Sequence, residues 1–126
     1  MFKNLEEKFR IHCNTKNLEL NPNQINTIQK LKLYYEKNFE FSPLNFFSKK
    51  ISKKGFYLYG DVGVGKTMIL EFFFNLINKK KQRIHFNEFM LNFHNFVHDN
   101  KEKNEENIVR KFVKSLRSKY SLIFFD

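Results

Sequence analysis

The sequence is poor in the features that would place it outside the cell or in a membrane. Cys13 is its only cysteine, so no internal disulfide can form, and nothing points to an oxidising compartment. The longest apolar run, Met68 to Ile77, is broken by Glu71 and falls well short of the ~20 residues a membrane span needs. The opening stretch, MFKNLEEKFRIHCN, has no apolar h-region and mixes acids with bases, which argues against a secretory signal and against an Arg-rich transit peptide. A soluble, cytoplasmic protein without a transmembrane segment is the expectation. Prolines number two, Pro22 and Pro43, and glycines four. All four glycines, Gly55, Gly60, Gly63 and Gly65, fall in KGFYLYGDVGVGKTM. Glycine goes where the backbone must take positive φ or approach a ligand closely, so such a cluster marks a site.

What is there in quantity is phenylalanine and lysine. The 126 residues fit one small domain, and 17 Phe can fill its core. The formal charge of +10 suits a nucleic-acid or membrane surface, but the general enrichment in Lys, Asn, Ile and Phe is also what AT-rich coding produces.

LNPNQINTIQKLKLYYEKN reads as a helix start. Asn21 can cap, Pro22 suits the first position, and Gln24 completes a capping box. Ile25, Ile28, Leu31 and Tyr35 then recur at helical spacing. FEFSPLNFFSKKISKK reads as an irregular connector with a short helix at 44–47. GFYLYG suits a buried strand, and KTMILEFFFNLINKK a helix apolar nearly all round, packed against a sheet. RIHF reads as a second strand, followed by a helix with Phe89, Phe93, Phe96 and Val97 as its stripe. NKEKNEEN reads as a solvated loop. IVRKFVKSLRSKY sets Ile108, Val109, Phe112, Val113 and Leu116 against Arg110, Lys111, Lys114 and Arg117, an amphipathic helix, and SLIFFD reads as a third buried strand. The alternation predicts an α/β fold, a parallel sheet with flanking helices. Residues 1–54 read as a helical segment with a basic connector, and residues 55–126 as the α/β part.

Gly60, Asp61, Val62, Gly63, Val64, Gly65, Lys66 and Thr67 satisfy the P-loop pattern between a predicted strand and a predicted helix. In such a loop, backbone N–H groups wrap a phosphate chain and the helix that follows aims its positive end at the same anion. Lys66 would reach the β- and γ-phosphates of ATP, and the Thr67 hydroxyl would bind Mg²⁺. Gly55 reads as a separate turn. Asp126 closes an apolar strand about sixty residues on, as the second Mg²⁺ carboxylate does, directly or through water.

Other features weigh less. His94 and His98 have zinc-ligand spacing, but no Glu lies between them as a base and no third ligand is evident. Phe72, Phe73 and Phe74 read as core. Lys49, Lys50, Lys53 and Lys54 read as a solvated connector, with a phosphate or nucleic-acid path as the alternative.

Together, KGFYLYGDVGVGKTMILEFFF, RIHFNEFMLNFH and LIFFD resemble the ZapE family of AAA+ ATPases, bacterial cell-division proteins related to a mitochondrial AAA ATPase. The discriminating stretch is His85, Phe86, Asn87, Glu88, Phe89 and Met90, in which Asn87 stands where the family usually has His. Val64 stands where an Arg is common, and Gln24 also fits a family pattern. The resemblance implies an AAA+ fold, ATP and Mg²⁺ as cofactors, a homo-oligomeric ring when complete, and a protein partner in cell division or elsewhere. It covers nearly the whole of this chain and only the first part of the family's domain. The hydrolytic glutamate, the sensor residues, the arginine finger and the strand between the P-loop and Mg²⁺-carboxylate strands follow the position of Asp126 in the family. The sequence therefore reads as a truncated member that binds ATP without hydrolysing it alone. A helicase-loader-like ATPase using its basic charge on DNA and a non-hydrolysing adaptor are the competing readings.

Overall fold

The computed structural model describes residues 3–40, 54–60, 65–101 and 105–126. The chain divides into two compact units, residues 1–76 and residues 77–126.

The first unit is helical. α1, Leu5–Thr15, carries Leu5, Phe9 and Cys13 one turn apart, and all three are fully buried. Its exposed side is tied by Glu6 and Arg10, four residues apart with N···O 2.8 Å. It stops at Asn17, which takes a positive φ of 51° that asparagine tolerates, while the Leu18 N–H returns to the Cys13 carbonyl (2.8 Å). The one-turn spacing of Leu5, Phe9 and Cys13 is the sequence signal for this helix. α2, Pro22–Phe39, starts as its sequence predicts: the Asn23 N–H donates to Asn21 Oδ1 (2.8 Å), and the Asn21 N–H donates to Gln24 Oε1 (3.1 Å). Ile28, Leu31 and Tyr35 are buried, and Ile25 is half-buried.

α3, Lys66–Leu76, buries Ile69, Phe72 and Phe73. Phe72 meets Phe9 edge-on at 5.2 Å and His12 at 5.0 Å, while Phe73 lies 6.5 Å from both Tyr34 and Tyr35. Within this unit α3 packs its buried residues against α1 and α2.

The predicted strand over residues 55–60 is not formed. A strand needs a hydrogen-bonded neighbour, and among the described residues none pairs with this segment. It still alternates as extended chain: Phe56 and Leu58 are half-buried, and Tyr57 and Tyr59 are 85% and 80% exposed with their rings stacked at 6.1 Å. Phe56 rests against Tyr34 (5.9 Å), whose hydroxyl donates to the Lys54 carbonyl (3.0 Å). A Cβ added to Gly55 would meet nothing within 4 Å, so no close approach requires that glycine. The predicted short helix at 44–47 lies outside the described residues.

The second unit runs β1 (Lys81–Ile84), α4 (Phe86–Asp99), α5 (Glu105–Lys119) and β2 (Leu122–Phe125). The two strands pair in parallel, Lys81 opposite Leu122 through Ile84 opposite Phe125. This sheet bears out the α/β class in part, with two strands among the described residues where three are predicted. β1 ends before the predicted RIHF does, because His85 takes the extended N-cap position of α4 and Phe86 is its first residue. α5 begins earlier than predicted and takes Glu105 to Asn107 out of the expected loop.

Phe112 of α5 centres the core of this unit. It lies 5.7 Å from Phe89, 5.1 Å from Phe93 and 5.3 Å from Phe96 on α4, and Phe89 in turn meets Phe125 of β2 at 4.8 Å. Ile108 and Phe124 are buried with it, whereas Val109 and Val113 are exposed. β2 is thus less enclosed than its apolar sequence predicts: Phe124 is buried and Phe125 is 45% exposed.

Candidate functional site

Gly60 and Gly65 bound the candidate loop, and both have positive φ, 151° and 77°. A side chain at either position would be strained, which is the physical reason glycine stands there. Asp61, Val62, Gly63 and Val64 lie outside the described residues. Directly after Gly65 the chain enters α3, whose first N–H groups, beginning at Lys66, have no acceptor within the helix. The Gly65 carbonyl takes the first helical bond, from the Ile69 N–H (3.1 Å). Lys66 folds its ammonium back onto the Gly60 carbonyl, joining the two ends of the loop. Thr67 is exposed beside it. The structure thus brings Gly60, Gly65, Lys66 and Thr67 together at one helix start.

This donor set fits a polyphosphate. It combines backbone N–H groups at a helix start, the positive end of a helix dipole and an ammonium that donates to a neutral carbonyl. A phosphate oxygen is the stronger acceptor for that ammonium.

Asp126 belongs to the second unit. Its backbone continues the parallel ladder, the N–H donating to the Ile84 carbonyl (3.1 Å) and the carbonyl accepting from Phe86 (3.4 Å). Its carboxylate is held by Arg83, whose Nη2 and Nε both donate to Oδ2, at 2.7 and 3.2 Å. The Arg83 guanidinium also lies over the ring of Phe124, 5.3 Å from its centroid. No feature of spacing singled out Arg83, although its alternation along β1 would have placed it near the end of the partner strand.

In the stretch from His85 to Met90, His85 is the N-cap of α4, Asn87 and Glu88 are exposed, and Phe89 and Met90 are half-buried. His94 and His98 are exposed on the same helix, and among the described residues no three potential ligands gather for a metal ion. Among the described residues, no helix is long and apolar enough to cross a membrane.

The sequence profile of a family described as AFG1-like ATPase matches residues 5–126. The chain belongs to the AFG1-like ATPase family. Lactation elevated protein 1 homolog B of zebrafish is 45% identical over 56 residues, 44% of this chain and 11% of that protein. Cell division protein ZapE of Escherichia coli K12 is 42% identical over 48 residues, 37% of this chain and 13% of that protein. The chain therefore aligns with a small part of the length of these curated relatives. No solved structure matches it. For an AFG1-like ATPase, a nucleotide is the ligand the family implies.

Proposed function

We infer that residues 60–67 are the phosphate-binding loop of an AAA+ ATPase and that this chain contributes ATP binding. Gly60, Asp61, Val62, Gly63, Val64 and Gly65 wrap the phosphates, and Lys66 exchanges the Gly60 carbonyl for β- and γ-phosphate oxygens. Thr67 and Asp126 serve Mg²⁺, Asp126 directly or through water. Mg²⁺ held by Thr67 and Asp126 would supply positive charge to offset that of the phosphates. The observation that carries this reading is the pair of positive-φ glycines closed by Lys66 at the N-terminus of α3. A role in cell division, a protein partner there and assembly into a homo-oligomeric ring are proposed on the likeness to ZapE.

The test is calorimetric titration of the purified chain with Mg-ATP. Binding is expected and should vanish in Lys66→Ala, because the ammonium is a charge-assisted donor that the helix start cannot replace. Equal binding by both proteins sinks the assignment.

A further inference from the structure

Gln24 occupies the third position of α2, where its Oε1 accepts from the Asn21 N–H (3.1 Å). That bond sets the direction of the whole carboxamide. With the oxygen turned back to the cap, the Nε2 amine faces the other way, and it lies 2.9 Å from the point that a Cβ on Gly65 would occupy. Gly65 is the residue through which the candidate loop enters α3. Because glycine has no side chain, an amine from a different helix can approach the loop this closely, and any other residue at position 65 would push it away. The same amine takes no described acceptor, although its carbonyl oxygen is committed to the cap. A primary amide with an uncommitted donor, half-buried and held against the last residue of an anion-binding loop, has an acceptor to find.

We propose that Gln24 is a binding residue of the nucleotide site, with Nε2 donating to the phosphate chain held at the start of α3. This rests on the reading of residues 60–67 as the phosphate loop. Gln24 adds a neutral, directional donor from outside the motif to the charged one from Lys66. Its oxygen ties the position of that donor to the capping of α2, so that helix and loop are set by one side chain.

Gln24→Glu separates the binding role from the capping role. Glutamate completes a capping box as glutamine does, and an acid in the first turn of a helix suits the dipole, so α2 keeps its start. The donor, however, becomes an anion facing phosphate. The expected result is a melting temperature at or above that of the unsubstituted chain, with affinity for Mg-ATP reduced roughly ten- to hundredfold. Affinity for magnesium tripolyphosphate, which has no base or sugar, should fall equally. Unchanged affinity would show that Gln24 only caps. A loss confined to ATP would place the contact at the base or ribose, and a loss that accompanies a lower melting temperature would mark a folding role; each overturns the proposal. If the unsubstituted chain binds neither probe, or Lys66→Ala binds both as well as it does, the phosphate-loop reading itself falls. That failure is distinct because it appears without any change at Gln24.

Discussion

Arg83 holds Asp126 with two donors on a single carboxylate oxygen, 2.7 Å from Nη2 and 3.2 Å from Nε. The pair joins the end of β2 to β1 across the parallel register, where Arg83 stands opposite Phe124. It also opposes the metal role proposed for the same carboxylate, because a guanidinium beside it cancels the charge that would attract Mg²⁺. Arg83→Gln should therefore lower the Mg²⁺ concentration needed for half-maximal nucleotide binding, and Asp126→Asn should raise it. Mg²⁺ titration at fixed ATP reads both shifts. Since the Arg83 and Asp126 side chains are 37% and 25% exposed, Arg83→Gln should cost no more than about 1 kcal/mol of stability in a urea melt. A Mg²⁺ requirement that ignores both substitutions would remove Asp126 from the site.

Thr67 tests the other side of the metal. It is exposed in the first turn of α3, and its hydroxyl is not needed to build the helix. Thr67→Val keeps the branched shape and removes the oxygen. The expected outcome is binding that no longer improves when Mg²⁺ is added, with the melting temperature of the nucleotide-free chain nearly unchanged. Full Mg²⁺ dependence in the variant would assign the metal elsewhere.

The elements that could be read from the sequence are those whose signals are local. The start of α2 needs only Asn21, Pro22 and Gln24, and it is capped as that spacing predicts. The stripes of α4 and α5 recur every three or four residues, and Phe89, Phe93, Phe96 and Phe112 meet accordingly. α1 carries an equally local signal in Leu5, Phe9 and Cys13, which recur one turn apart. Residues 55–60 failed for a different reason. An apolar alternation says that a segment can be a strand, but its pairing depends on another segment, and among the described residues none pairs with this one. The site divides in the same way. Gly60, Gly65, Lys66 and Thr67 are legible because the loop is contiguous, whereas Gln24 against Gly65 and Arg83 on Asp126 are contacts between distant stretches.

Phe112 should govern the stability of the second unit. Its ring touches Phe89, Phe93 and Phe96 together, and no smaller side chain spans all three. Phe112→Ala should cost about 3–5 kcal/mol, the usual range for emptying a buried phenylalanine site. Phe112→Leu should recover much of that loss. Chemical denaturation followed by circular dichroism measures both, and a loss below about 1 kcal/mol for the alanine variant would mean that α4 and α5 are not packed through this ring.

Glu6 makes the first unit sensitive to acid. Its carboxylate accepts from Arg10 Nη2 (2.8 Å) and from Gln29 Nε2 of α2 (3.1 Å), and these bonds hold its pKa below the ordinary carboxylate value. A carboxyl lowered by folding stabilises the folded state fully above its unfolded pKa and loses that contribution as pH falls through the folded one. Glu6→Gln should accordingly melt lower than the unsubstituted chain near neutral pH, and the difference should shrink below about pH 4. Parallel melting curves that stay equally far apart down to about pH 2 would contradict the assignment.

Cys13 offers a direct probe of how firmly α1 is docked. The thiol is fully buried, and that burial pushes its pKa up, so both access and ionisation disfavour reaction. Iodoacetamide should label the folded chain far more slowly than the urea-unfolded chain, through brief openings that release α1. The ring of Phe9, one turn before Cys13, meets Phe72 of α3 edge-on at 5.2 Å, so Phe72→Ala weakens the contact that keeps α1 in place. Labelling of Cys13 should then accelerate steeply, in proportion to the opening equilibrium. Phe112→Ala, in the other unit, provides the control. If it accelerates labelling as much as Phe72→Ala does, α1 opens only when the whole chain unfolds. If neither does, Cys13 is reached by a route that leaves α1 docked.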